Sequence, residues 1–382
     1  MTVQYRQADF FSQSVDPFAI QSTPMIDEAV RNGARVVFNL SGGKDCGAIS
    51  ALTMRLLDKM GHSRERRIAI HADLGRAEWR STPAQVEQQA LALGLQLVVV
   101  RAASGDLVDR FENRWERGLG QYIDLSLYNL RGPWSSPSLK FCQSEKKIQV
   151  MGPHLARTFK GETIINVVGI RREESTGRKN TEVAKLDTRF AEPGNRAGTT
   201  MMLWHPGVDL LVDAVFAANV QHGIPLAESY QLGASRHSCA FCIMASANDL
   251  AVAANAPGNL WLYRHYVSME AKTTFSFQHV RWLGDVAPDL LTPGLAADLA
   301  RAKHLAAERR AVEAQMPARH RYVKGWPLHV PTYDEAQIIC DARHTILRQH
   351  GATSPYDSPS LIIDRIAGLK ATGEAKRARL AA

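Results

Sequence analysis

Cysteine is scarce in this chain, with five among 382 residues. That is too few for a disulfide framework at this length and favours a reducing cytoplasm. Long apolar runs are missing as well. The most apolar stretch, Leu210 to Val220, is interrupted by Asp213 and Asn219, short of the ~18–20 residues that cross a bilayer. The opening MTVQYRQADFF lacks the charged start and apolar core of a signal peptide. These absences predict a cytoplasmic protein with no membrane partner. Neither sign of charge dominates, since 46 Lys+Arg stand against 38 Asp+Glu, a net of +8. That balance admits an anionic partner, nucleotide or nucleic acid, without choosing between them. There is no internal repeat, no GxGxxG and no GxxxxGK[ST], so neither a dinucleotide fold nor a Walker ATPase is indicated. What is present is a 45% apolar content, enough to bury a large core and to exclude a disordered or collagen-like chain. The length suits one large domain with an appendage, or two domains.

Periodicity predicts alternating strands and helices through the first two-thirds. Strands are expected at Arg35–Leu40, Ile68–His71, Leu95–Val100 and Thr163–Ile170, and helices at Gly47–Met60 and Thr82–Leu93. Strands this apolar, separated by helices, imply a sheet buried on both faces. The expected fold is therefore α/β, a doubly wound, mainly parallel, Rossmann-like sheet with a C-terminal helical extension. Residues 105–160 read as mixed, with a surface loop at 131–138, and 177–200 as polar and mobile. Helical patterns dominate later, notably Leu295–Gln315 and Tyr333–Arg348, and the end reads as a frayed basic helix or tail. We place a nucleotide-binding domain at 1–255 and a helical region at 256–382.

The strand RVVFNL runs into Ser41-Gly42-Gly43-Lys44-Asp45-Cys46 and then a helix. Two glycines allow a tight turn and close approach to an oxyanion, and the helix start aims free N–H groups at it. Ser41 adds a hydroxyl donor and Lys44 a point charge. Asp73, after the second strand, is a candidate acceptor for a ribose or adenine donor. After the fourth strand, Gly169 permits close approach, and Arg171 and Arg178 offer guanidinium forks to phosphate or sulfate oxygens. Glu174 is placed to orient an arginine and Ser175 to donate. Cys239 and Cys242 form a CxxC, to which Cys142 can be added by folding back, beside Arg236 and His237. The fourth ligand is open, so zinc, an iron–sulfur cluster and a redox pair are all carried.

The string SGGKDC resembles the SGGxDS pyrophosphate loop of the PP-loop superfamily, with Cys46 in place of serine. HADLGRAE resembles the HADTGxE segment of phosphoadenosine phosphosulfate (PAPS) reductases, with Leu74 for Thr and Glu78 one residue later. GIRREESTGR resembles that family's GxRxxES…R segment. WSSPSLKFCQSEKKI resembles its W-P-S…C-T-S-D-x-K segment, which maps Cys142, Ser144 and Lys147. Four motifs in family order over residues 35–250 resemble the PAPS reductase family, within the adenine nucleotide α-hydrolase-like superfamily. The resemblance implies an adenine nucleotide, ATP or PAPS-like, bound by Ser41–Cys46, Asp73, Lys147, Gly169, Arg171, Glu174, Ser175 and Arg236. Lys44, Asp45, Arg171 and Arg178 would be catalytic, Mg²⁺ would accompany the phosphates, and Cys142, Cys239 and Cys242 would hold a [4Fe-4S] cluster or zinc.

The chain departs from the family in places. It ends AKRARLAA without the ECG(L/I)H segment that carries the nucleophile of thiol-based sulfonucleotide reductases. Cys142 is followed by Gln143 rather than a second cysteine, and Cys340 in IICDARHTIL reads as a buried helix cysteine. Three functions follow. The first is an ATP pyrophosphatase that activates an acceptor for sulfur transfer, with a nucleic acid as acceptor, a basic surface at Arg301–Lys324 and a sulfur-donor protein. The second is a PAPS or adenylylsulfate reductase with an electron donor. The third is a non-catalytic nucleotide-binding protein with structural zinc.

Overall fold

The computed structural model describes residues 16–381, so the opening MTVQYRQADFF lies outside the described residues. The chain divides into two compact units that do not follow a single cut in sequence. The first comprises residues up to Ala72, Ser81–Val100 and Gln149–Glu228; the second comprises Asp73–Arg80, Arg101–Ile148 and Ser229 onward. Among the described residues no helix is long and apolar enough to cross a membrane.

The first unit is built on α1 (Pro24–Arg31), β1 (Arg35–Asn39), α2 (Lys44–Lys59), β2 (Arg67–Asp73), α3 (Thr82–Ala92) and β3 (Gln96–Arg101). After α4 (Leu107–Ile123) and the short α5 (Phe141–Gln143), which belong to the second unit, the first unit continues with α6 (Gln149–Thr158), β4 (Thr163–Val167), β5 (Ala184–Leu186), β6 (Thr200–Trp204) and α7 (Val212–Gln221). The sheet order is β3-β2-β1-β4-β6-β5. β1 runs parallel to β2 and β4, β6 parallel to β4, and β5 antiparallel to β6. The expected doubly wound α/β layer is what forms. Its cause is visible in β1, whose alternate residues enter different cores: Val36 and Phe38 one, Val37 the other. A strand buried on both faces needs helices on both faces. The order reverses between β1 and β4, and such a switch point is where open α/β sheets bind ligands, at the carboxyl ends of the strands.

Residues 177–200, expected to be mobile, instead contain β5. Its three residues are too few to show a period, and only the register Ala184↔Trp204 through Leu186↔Met202 makes them a strand. The mixed reading of 105–160 conceals α4. That helix starts at a reciprocal capping box in which Asp106 accepts from the N–H of Asp109, and Asp109 accepts from that of Asp106.

The second unit is mainly helical. It includes α8 (Glu228–Gln231), which begins at the unit boundary, then α9 (Ala247–Asn255), α10 (Leu260–Thr273), α11 (Pro293–Gln315), α12 (Tyr333–Gln349) and α13 (Pro359–Ala381). α13 stays helical through the segment expected to fray. An aromatic cluster joins α4 to α10. Phe111 meets Trp134, Phe141 and Tyr266 edge-on, with centroids 5.3–5.8 Å apart, a favoured ring geometry.

At the centre of this unit Glu270 is fully buried. Its carboxyl accepts from the N–H groups of Phe277 at 2.7 Å, Leu283 at 2.8 Å and Gly284 at 3.1 Å. Burial raises its pKa to about 7 against the opposing pull of those three donors. A carboxyl with a folded pKa above its unfolded value near 4.5 binds its proton more tightly when folded. Its contribution to stability is therefore complete below pH 4.5 and declines as pH rises through 7. We predict that wild-type stability falls by on the order of 3 kcal/mol from pH 4.5 to 8 through this group. Glu270→Gln should flatten that slope in urea unfolding across the range. An unchanged slope in the variant would assign the pH dependence elsewhere.

Candidate nucleotide site and cysteine cluster

In the first unit the chain leaves β1 at Asn39, whose side chain donates to the Val167 carbonyl of β4 at 2.8 Å. The two strands are thereby clamped where their loops begin. Gly42 then adopts φ +79°, a left-handed turn that favours glycine. Gly43 is the N-cap of α2 and supplies no capping side chain. A sixteen-residue helix thus begins with no side-chain cap from its N-cap residue, and a helix start is the arrangement that receives an anion.

Lys44, only 4% exposed, places Nζ 3.2 Å from Asp45 Oδ2. Arg171, also 4% exposed, donates from Nε to Asp45 Oδ1 at 2.5 Å, and its Nη1 meets Glu173 and the Leu210 carbonyl. Burial works against the Arg171 charge, but Asp45 and Glu173 outweigh it and hold its pKa above the ordinary value. Glu174 receives the backbone N–H of Arg171 at 3.0 Å and pairs with Arg178. Glu174 thus contacts both Arg171 and Arg178. Ser175 is exposed, and its carbonyl accepts from the Arg178 N–H at 2.9 Å. Gly169 lies against the start of α2: a β-carbon there would sit 3.0 Å from the Cys46 nitrogen. Lys44, Asp45, Gly169, Arg171, Glu174 and Arg178 are therefore linked at one end of the sheet by direct contacts.

Cys46 turns inward. Its thiol donates to the Gly43 carbonyl at 3.0 Å and receives the Ser41 N–H at 3.3 Å. Burial raises its pKa. The sulfur thus ties the loop's two ends together as a protonated thiol. Two residues that sequence reasoning missed support the same loop. Gln89 of α3, wholly buried, donates to the carbonyls of Gly42 at 3.2 Å and Gly43 at 3.3 Å. Asn219 of α7, also wholly buried, donates to the Lys44 carbonyl at 2.9 Å. A polar side chain inside an otherwise apolar helix face is the signal that could have found both.

The second unit holds the remaining candidates. Asp73 accepts from the Gly75 N–H at 2.6 Å and from Arg101 Nε at 3.0 Å. Its two oxygens thus shape a turn and an ion pair. Cys142 receives a hydrogen bond from Ser135 Oγ at 3.5 Å and sits on α5, immediately before a single π-helical turn, Ser144–Ile148. Such turns are frequent at functional sites. The CxxC loop is fixed from two sides. The Ala240 N–H reaches the Ala77 carbonyl at 3.0 Å, and the Gln278 amide donates to the carbonyls of Ile243 at 3.0 Å and Ala245 at 2.9 Å. Gln278 belongs to the segment whose N–H groups Glu270 collects, so the buried carboxyl braces this loop at one remove.

Burial raises the pKa of Cys239 to about 12 and also raises that of Cys242. Cys142 acts on both in the same direction, and Lys147 opposes the rise in both. The three thiols and Lys147 therefore share one electrostatic neighbourhood. No group of three or more His, Cys, Asp or Glu side chains among the described residues is arranged to hold a metal ion. A tetrahedral zinc with bonds of about 2.3 Å needs its sulfurs about 3.8 Å apart, and the thiols as placed do not make that site. Arg236 lies exposed in the irregular segment before the CxxC. His237 contacts Ser229 Oγ at 3.1 Å through Nδ1.

The phosphoadenosine phosphosulfate reductase domain family matches residues 35–245, more than half of the chain. The chain belongs to this family. The match takes in the glycine loop, the turn at Asp73, the segment around Cys142, the Gly169–Arg178 loop and the CxxC. It leaves out α9 to α13. Among solved structures the chain is similar to phosphoadenylyl-sulfate reductase from Candida auris in its phosphate complex, at 12% identity and a TM-score of 0.36. That likeness covers 59% of this chain and 89% of the other. No match is found among the curated proteins.

Proposed function

We propose that this PAPS reductase-family protein binds ATP at the glycine loop and cleaves it between the α- and β-phosphates, passing the adenylyl group to an acceptor. The observation that carries this reading is the pairing of two buried cations, Lys44 and Arg171, on the single carboxylate of Asp45 at the start of α2. An anion entering there meets charge already fixed in position. Such preorganised charge stabilises a developing leaving group without rearrangement in the transition state. In the reaction an acceptor nucleophile forms a bond to the α-phosphorus, the bond to the bridging oxygen breaks, and pyrophosphate leaves with its charge against Lys44, Arg171 and Arg178. Mg²⁺ travels with the nucleotide phosphates. Activation of this kind prepares the acceptor for sulfur insertion. In this reading Cys142, Cys239 and Cys242 are the sulfur-handling groups, with Lys147 the cation beside them. Among the described residues these thiols make no closed single-ion site.

Family membership favours a second reading, reduction of a sulfonucleotide. There a thiolate must attack the sulfate sulfur, and a protonated thiol attacks poorly. Burial raises the pKa of Cys46, Cys239, Cys242 and Cys340 alike, which supports the first reading. The test is product analysis. Incubated with MgATP and candidate acceptors, the protein is expected to release pyrophosphate and form adenylylated acceptor, from which an added sulfide source then displaces AMP. Incubated with PAPS or adenylylsulfate and a thioredoxin system, it is expected to release no sulfite; sulfite at turnover rates would overturn the proposal in favour of the reductase. Iron and sulfide analysis of anaerobically purified protein addresses the thiols. Both elements lost together in Cys142→Ala would support a cluster on these residues, and their absence from wild type would remove it.

A further inference from the structure

The connection between α11 and α12 lies outside the family match and carries an unusual combination of residues. From Ala314 to Tyr333 it has no Asp or Glu, yet it contains Arg319, Arg321 and Lys324. Arg321, Val323 and Lys324 are exposed, and Tyr322 is 69% exposed. The segment beneath them is firmly held. Trp326 donates from Nε1 to the His320 carbonyl at 2.7 Å, the Tyr128 hydroxyl donates to the Pro317 carbonyl at 2.9 Å, and His320 is buried. A second basic segment reaches the same place from α13, where Arg377 Nη1 bonds the Gly325 carbonyl at 3.2 Å. Lys376 and Arg379 are exposed next to it in sequence. The neighbouring acids Glu335 and Glu374 are already paired, with Arg319 and Lys370.

We infer that this loop and the end of α13 form a binding surface for single-stranded nucleic acid. The chemistry follows from spacing. An exposed tyrosine ring gives a base a face to stack on, and cations one residue before it and two after it reach the flanking phosphates. The anchored frame means that little ordering accompanies binding. A duplex hides its bases and would engage only the cations, leaving Tyr322 idle. The surface is independent of the glycine loop, so the inference stands or falls apart from the proposed ATP chemistry.

Fluorescence anisotropy with labelled 20-nucleotide single strands, RNA and DNA, tests it directly over a salt series. Wild type is expected to bind with strong salt dependence. R321E/K324E/R377E should weaken binding at least 30-fold and reduce the slope of log Kd against log salt by about 2. Tyr322→Ala should weaken single-strand binding about tenfold and leave duplex binding unchanged. Lys44→Ala should leave oligonucleotide affinity as in wild type, which separates this result from any outcome at the nucleotide site. All four substituted side chains at the surface are exposed, and a wild-type melting temperature for each variant would confirm folding. Binding that survives the triple substitution would overturn the inference. So would equal binding of poly-glutamate, or a tyrosine effect of equal size on duplex.

Discussion

Arg171→Ala is expected to destabilise the protein by about 3–5 kcal/mol and to abolish measurable nucleotide affinity. Arg171 is buried and serves three partners at once: Asp45, Glu173 and the Leu210 carbonyl. Removing one side of a buried ion pair leaves the other as an uncompensated charge, and the cost is typically in that range. Glu173 also accepts the Val212 N–H at 3.0 Å, so the loss spreads to the start of α7. Urea unfolding measures the first effect and calorimetric titration with MgATP the second. Arg171→Lys keeps the charge but loses the planar fork, and should recover part of the stability with little of the affinity. A midpoint equal to wild type in the alanine variant would mean that the Asp45–Arg171 pair does not hold the site.

The second large effect is expected from Gly47→Val. Gly47 lies one turn into α2, behind the loop, where a β-carbon would sit 2.7 Å from Asn219 Oδ1, 2.8 Å from Ile224 Cγ2 and 3.2 Å from Gln89 Nε2. Asn219 and Gln89 are the two side chains that hold the Lys44, Gly42 and Gly43 carbonyls. The added volume must displace both. Overpacking of this kind costs about 1–3 kcal/mol, and here the strain falls on the groups that shape the anion site. The expected result is a lower unfolding midpoint together with at least a tenfold loss of nucleotide affinity. Gly120→Ala in α4 is the control. Nothing lies within 4 Å of its added carbon, so the change should be neutral or slightly stabilising. Equal behaviour of the two variants would contradict this account of the loop's supports.

These two variants also mark where the sequence could be read and where it could not. The glycine loop was legible because strand, glycine pair, lysine and helix are adjacent in the chain, and the turn at Gly42 needs only local geometry. The Gly169–Arg178 segment was legible because the same family pattern carries it. Gln89 and Asn219 were not, since each lies on a helix far along the chain and its role appears only when that helix packs behind α2. Asp73 was legible as a carboxylate after a strand, but its contacts to the Gly75 N–H and to Arg101, the latter 28 residues along the chain, appear only in the fold. β5 escaped for want of length, and α4 because its charged face masks the apolar spacing of Leu107, Phe111 and Trp115. Cys46 was legible as a departure from the family's serine. Its inward bonds to Ser41 and Gly43 appear only in the fold.

In the proposed function the start of α2 receives the phosphates of an adenine nucleotide through Lys44 and Arg171. Calorimetric titration of MgATP into wild type and Lys44→Ala tests it most directly. One site per chain is expected in wild type and at least a hundredfold weaker binding in the variant, both titrated well below the variant's own unfolding midpoint, because loss of the buried Lys44 side chain also lowers stability. Equal affinity in the two proteins would contradict it.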